Sequence, residues 1–185
     1  MDSRAIAELV FHIGRIATGE GLVKGITTAQ WAALRYVAQA NRFSRTSSAF
    51  AAFHGTTRGT ASQTIKSLEN QGYLTRIRSE DDRRSVRLVL TEKAKGILAN
   101  DPFESLVRAA DTLPPSVKVH FVNALQRMLG RVSQERGRPL LGTCTPCQHL
   151  ESDGCSGEKK VTHVCGFTSE SLLKEELDGV CINFI

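Results

Sequence analysis

The stretch Asp82-Arg83-Arg84-Ser85-Val86-Arg87-Leu88-Val89-Leu90-Thr91 constrains the fold of this chain more than any other. Val86, Leu88 and Leu90 recur at a period of two, the spacing of a half-buried strand. A second β-like run covers residues 73–78, and Ser79-Glu80-Asp81-Asp82 joins the two as a hairpin tip. The hairpin carries Arg76, Arg78, Arg83, Arg84 and Arg87. Just upstream, Ala61, Ile65 and Leu68 form the apolar face of a helix predicted over 58–71. Thr57 can cap its start, and Gly72 stands in the position that usually ends a helix.

The rest of the first 138 residues is helical in pattern. Ile6, Leu9, Val10 and Ile13 share a stripe over 4–18. Thr27-Thr28-Ala29-Gln30 is a capping box opening a helix to about residue 39, which carries Trp31, Leu34, Tyr36 and Val37. A connection over 41–45 leads to a short helix over 47–53 that buries Ala49, Phe50 and Phe53. His54-Gly55-Thr56 makes a tight turn. After the hairpin, Thr91 caps a helix to about 99, another covers 101–111, and Pro114-Pro115 opens the last long one. That helix has Phe121, Val122, Leu125, Met128, Leu129 and Val132 on one side. The expected fold is mainly α with a small β-wing: a winged helix-turn-helix with long dimerisation helices.

No run of about 18 apolar residues is present, so no membrane span is expected. Met1-Asp2-Ser3-Arg4 has neither the basic nor the apolar region of a signal peptide, and a cytoplasmic location is expected. The net charge of +5 is uneven. Residues 1–138 hold 21 Lys/Arg against 12 Asp/Glu, whereas residues 139–185 hold three against seven. A basic body suited to a polyanion therefore carries an acidic tail segment.

The outward face of the 58–71 helix offers Arg58, Gly59, Thr60, Ser62, Gln63 and Lys66, with no acidic residue before Glu69. A major groove admits such groups: Gln bonds adenine, Arg bonds guanine, and Thr or Ser bonds bases or phosphates. Gly59 lets the helix start come close to a backbone, where free N–H groups favour phosphate. Arg83, Arg84 and Arg87 on the wing are expected to reach DNA, the tip arginines through the narrow minor groove. Asp82 is expected to fix the turn and brace Arg84. A solvated arginine-rich strand face is the alternative for any single one of these residues.

Residues 1–135 resemble the MarR family of bacterial transcription regulators. Asp82, Arg84, Leu90 and Thr91 match that family's wing signature of Asp-x-Arg followed by a hydrophobic strand ending in Leu-Thr, and Glu92-Lys93-Ala94-Lys95-Gly96 continues in the same style. The resemblance implies a homodimer on a pseudo-palindromic double-stranded operator, paired through the first and the last two helices. It also allows a small-molecule effector, which nothing in residues 1–135 identifies. His12 and His120 could meet near the dimer arm, although packed or solvated roles are commoner for such residues.

Every cysteine lies in the final segment: Cys144, Cys147, Cys155, Cys165 and Cys181. A unit of residues 139–185 is too small to fold without a staple, and a reduced compartment disfavours disulfides. Cys144-Thr145-Pro146-Cys147 is a chelating pair, and Cys165 and Cys181 complete a four-sulfur metal site. Cys155 is left over, and His149 and His163 are reserve ligands. Zinc ribbons use two chelating pairs, whereas here the second pair is split. The spacing resembles high-potential iron–sulfur proteins, matched by Cys144-Thr145-Pro146-Cys147-Gln148, Cys165-Gly166-Phe167 and Gly179-Val180-Cys181-Ile182-Asn183-Phe184, with Val180 where that pattern has an aromatic. This resemblance implies a [4Fe–4S] cluster. Zinc, or free thiols in redox sensing, are the alternatives.

The expected function is a DNA-binding regulator, a repressor by family resemblance, whose operator affinity follows the state of the cysteine centre through the adjoining last helix. The alternatives are a MarR-type regulator with structural zinc and a small-molecule effector, or an electron-transfer protein. No nucleophile–base–orienter set, phosphate loop or nicotinamide motif is present, so no enzyme activity is expected.

Overall fold

The computed structural model describes residues 2–17, 25–78, 86–152 and 163–184. Helix α1 spans Ser3–Ala17, and each of the next four helices begins on a threonine. Thr27 caps α2 (Thr28–Gln39) in the expected box: its hydroxyl accepts the Gln30 N–H at 3.3 Å, and Gln30 Oε1 accepts the Thr27 N–H at 2.8 Å. Thr46 caps α3 (Ser47–His54) and Thr57 caps α4 (Arg58–Asn70), each at 3.1 Å. Thr91 does the same for α5 (Glu92–Leu98). A cap of this kind contributes about 1 kcal/mol.

Leu34, Tyr36 and Val37 of α2, Phe50 of α3, and Ile65 and Leu68 of α4 form the core. Strand β1 (Leu74–Arg78) pairs antiparallel with β2 (Val86–Leu90), placing Leu74 opposite Leu90 and Arg78 opposite Val86. Leu74 and Leu88 turn inward and attach this hairpin to the core. Gly55 (φ +62°) and Gly72 (φ +74°) take the left-handed conformation that ends α3 and α4. The expected tip, with Asp82, Arg83 and Arg84, lies outside the described residues.

Helix α6 covers Glu104–Asp111 and α7 covers Pro115–Glu135. The start of α6 falls later than the expected residue 101 because the Asp101 carboxylate is already engaged. It accepts the Phe103 N–H at 2.9 Å and both arms of Arg35, at 2.6 and 2.8 Å. Apart from Ala17, no residue of α1, α6 and α7 is buried. Their apolar stripes stand open, with Leu9 at 56% and Leu129 at 57% exposure.

The cysteine segment forms a three-stranded antiparallel sheet in the order β3 (Leu150–Ser152), β4 (His163–Cys165), β5 (Glu170–Leu172), followed by a 3₁₀ turn over Lys174–Glu176. Its small core of Cys144, Cys165 and Leu172 borrows Phe43 from the α2–α3 connection. The segment is also stitched to that connection. Val180 bridges Ala40 in parallel, with Asn41 N–H to Val180 O at 3.0 Å and Val180 N–H to Gln39 O at 2.8 Å. The fit is close at Gly179, where a Cβ would lie about 3.0 Å from Asn41 N, Cα and Cβ. Among the described residues, no helix is long and apolar enough to cross a membrane.

Candidate functional site

Helix α4 is held by its inner face. Ala61, Ile65 and Leu68 are buried, and Gln30 of α2 donates to Ser67 Oγ at 3.0 Å, a tie between distant residues that periodicity does not reveal. Arg58, Thr60, Ser62, Gln63 and Lys66 are exposed on the other side, as expected. The Thr60 hydroxyl is within 2.9 Å of Thr57 Oγ, so it shares in the cap. The first turn of α4 contains no acidic residue, which leaves its N-terminal partial positive charge available to an anion.

A cleft of about 310 Å³ separates α4 from the start of α3 and the hairpin. Ser47, Ser48, Arg58, Ser62 and Arg76 line it. Arg76 is oriented by Glu69, whose carboxylate lies 2.6 Å from its Nε. This pairing offsets the first acidic charge of the helix, and among the described residues Arg58 makes no ion pair. Arg87 is half-buried on β2, and its guanidinium lies 4.0 Å from Glu170 of β5. The structure therefore brings five of the expected DNA-facing residues together on α4 and sets Arg87 against the cysteine segment. Arg83, Arg84 and Asp82 fall outside the described residues.

The four expected metal ligands, Cys144, Cys147, Cys165 and Cys181, line one small cavity of about 10 Å³ together with His149 and Asn183. All four are free thiols. Burial raises the Cys144 pKa first, and Cys181, Cys165 and Cys147 raise it further, while a hydrogen bond from Asn41 opposes them. Asn41 Nδ2 stands 4.0 Å from Cys144 Sγ, the outer limit for an N–H···S contact. Among the described residues, no three His, Cys, Asp or Glu side chains are gathered so as to hold a single ion. His149 lines the cavity and packs against Phe167 with tilted rings, their centroids 5.3 Å apart, so it is more than the solvated loop residue its sequence context suggests. His163 lies on β4 with Nδ1 buried and without a hydrogen-bond partner among the described residues. Cys155 lies outside the described residues. The contact of Asn41 with Cys144 is one that sequence reasoning misses, because the two lie 103 positions apart.

Residues 24–85 match the MarR family model. No curated protein matches the chain. Among solved structures, a MarR transcriptional regulator from Methanosarcina mazei is similar at TM-score 0.53 and 23% identity, covering 71% of this chain and 99% of its own. The transcriptional regulator BldR from Sulfolobus solfataricus is similar at TM-score 0.52 and 22% identity, covering 69% of this chain and 91% of its own. FabT from Streptococcus pneumoniae, solved in complex with DNA, is similar at TM-score 0.52 and 24% identity, covering 71% of this chain and 92% of its own. The chain thus has the winged helix-turn-helix fold of MarR transcription regulators, with the cysteine segment added to it.

Proposed function

We propose that this protein is a MarR-type transcription regulator that binds double-stranded operator DNA as a homodimer and whose affinity follows the state of its cysteine centre. The exposed α4 face carries the reading: Arg58, Thr60, Ser62, Gln63 and Lys66 stand clear of the core above a cleft rimmed by arginines and serines. Such a surface positions a helix against phosphates and presents Gln63 and Arg58 to base edges. FabT, a structural neighbour, is seen bound to DNA. Selection of duplexes from a random pool by the intact protein tests the reading. The expected outcome is a two-fold-symmetric sequence bound far more tightly than the starting pool. Gln63→Ala should relax the preference at one position in each half-site by about 1–3 kcal/mol. Equal binding of all duplexes would remove the operator reading.

Cys144, Cys147, Cys165 and Cys181 would hold the metal group. Four thiols around one cavity are a donor set that suits either zinc or an iron–sulfur cluster. The small void supports a single ion, which needs its sulfurs about 2.3 Å away. We favour the cluster on the spacing of the four cysteines in the sequence. When bound it would supply one-electron redox or iron-responsive chemistry. Iron, sulfide and zinc analysis of anaerobically purified protein, with its visible spectrum, separates the two. A colourless protein with one zinc per chain would make the segment a structural staple, with a small-molecule effector as the remaining signal.

A further inference from the structure

We infer that Asn41 joins the cysteine cavity to the DNA-binding unit, so that the contents of the cavity are read by α3 and the hairpin through the α2–α3 connection. The inference rests on the cysteine-centre reading above and names its route. The order of the sequence suggests a route through α7, but the hydrogen bonds lead elsewhere. Asn41 is 2% exposed. Its side-chain amide faces Cys144 Sγ, its Oδ1 and its carbonyl both accept the Ser44 N–H, at 3.1 and 3.0 Å, and its own N–H reaches Val180. Ser44 is itself pinned from two sides: Oγ accepts the Ile182 N–H at 2.9 Å, and its carbonyl accepts the Tyr36 hydroxyl at 2.7 Å. One residue on, the Arg45 carbonyl accepts the Leu88 N–H at 2.7 Å, in the middle of β2. The next residue, Thr46, caps α3.

Charge holds the outer side of the same connection. Arg42 pairs with Glu176 at 3.1 Å and Glu170 at 3.2 Å and donates to the Ser171 carbonyl, and Glu170 also faces Arg87 of β2. The six residues 40–45 thus touch the loop bearing Cys144, the turn bearing Cys181, the cap of α3 and the central residue of β2. They form a contiguous packed path between the cavity and the surface that meets DNA. Fixing Cys144 in a metal centre fixes Asn41, and with it the angle at which α3 and the hairpin leave the connection. Asn41 is therefore a positioning residue for the centre as well as the start of that path.

The test compares amide exchange in the full-length reduced apo protein with the same protein reconstituted with ferrous iron and sulfide, and with protein loaded with Zn(II). Loading should slow exchange at Ser44, Leu88 and Phe50 by about tenfold. Asn41→Ala should load to the same metal content while these amides change less than about twofold. In the iron-loaded variant the midpoint potential should also fall, because a hydrogen-bond donor near a cluster sulfur is gone; a purely structural role would not move it. Gly179→Ala keeps Asn41 and every sulfur but crowds Asn41 with a Cβ about 3.0 Å from its N, Cα and Cβ, and should uncouple the same amides even if Asn41→Ala does not fold. Slowing confined to residues 142–184 in the loaded wild type, or undiminished coupling in Gly179→Ala, overturns the inference and leaves the cysteine-centre reading standing. A protein that takes up neither iron and sulfide nor zinc overturns that reading and the inference with it.

Discussion

Arg35 and Asp101 form the best-defended ion pair among the described residues. The carboxylate takes both arms of the guanidinium, and that group lies over the rings of Trp31 and Phe103 at 5.7 and 5.0 Å. Asp101→Ala would leave a mostly buried guanidinium uncompensated and should destabilise the chain by about 3 kcal/mol, read as a shift in urea midpoint. His54 supplies a pH response. Its ring packs on Phe50 and Phe53 at 4.7 and 4.8 Å. Partial burial against these rings is the main cause lowering its pKa from the ordinary value, with Arg35 adding to it and the Ala32 carbonyl opposing it. The unfolded chain therefore takes up this proton first as pH falls. The contribution is complete above the unfolded value of about 6.5 and is lost as pH drops from there through the folded value. Urea midpoints measured between neutral and mildly acidic pH should fall less steeply for His54→Phe than for the wild type. An identical slope would remove the assignment. The threonine caps at Thr27, Thr57 and Thr91 and the stop at Gly72 were legible in the sequence, because a cap joins residues two or three apart. The Arg35–Asp101 and Asn41–Cys144 contacts were not, because nothing local in either partner reports the other.

At the scale of elements, α1 and α7 present the largest unresolved cost. Leu9 and Val10 of α1 and Val122 and Leu129 of α7 are open to water, and exposed apolar stripes of that kind mark an interaction face. We expect it to close against a second copy of the chain. Leu9→Glu together with Val122→Glu should yield monomers by sedimentation and cost most of the operator affinity, since each half-site would then bind alone. A double variant that still sediments as a dimer would place the interface elsewhere. Periodicity exposed these stripes readily, because a helix repeats its face every three or four residues. The short strands β3, β4 and β5 left no such trace: three residues are too few for a period of two to show. For the hairpin the sequence reading and the structure agree on β1 and β2. The arginine-rich tip stays an expectation, since it lies outside the described residues.

Across the whole molecule, the basic body and the acidic segment meet at Glu170, which faces both Arg42 and Arg87. Glu170→Gln should release Arg87 toward phosphate and steepen the dependence of DNA affinity on salt by about 0.9 in log–log slope per chain. An unchanged slope would assign Arg87 to the segment alone. The division of charge was visible in the sequence, but the place where the two parts touch was not, because it depends on a bridge between Ala40 and Val180. That bridge also imposes an order of events. Ala40 and the whole helical unit around it leave the ribosome before Val180 is synthesised, and N-terminal units fold first during synthesis. The α2–α3 connection must therefore spend the interval before translation reaches Val180 without the strand that later grips it. A newly made chain passes through a stage in which its winged helix is complete and its grip is not, and that stage lasts as long as the intervening residues take to translate.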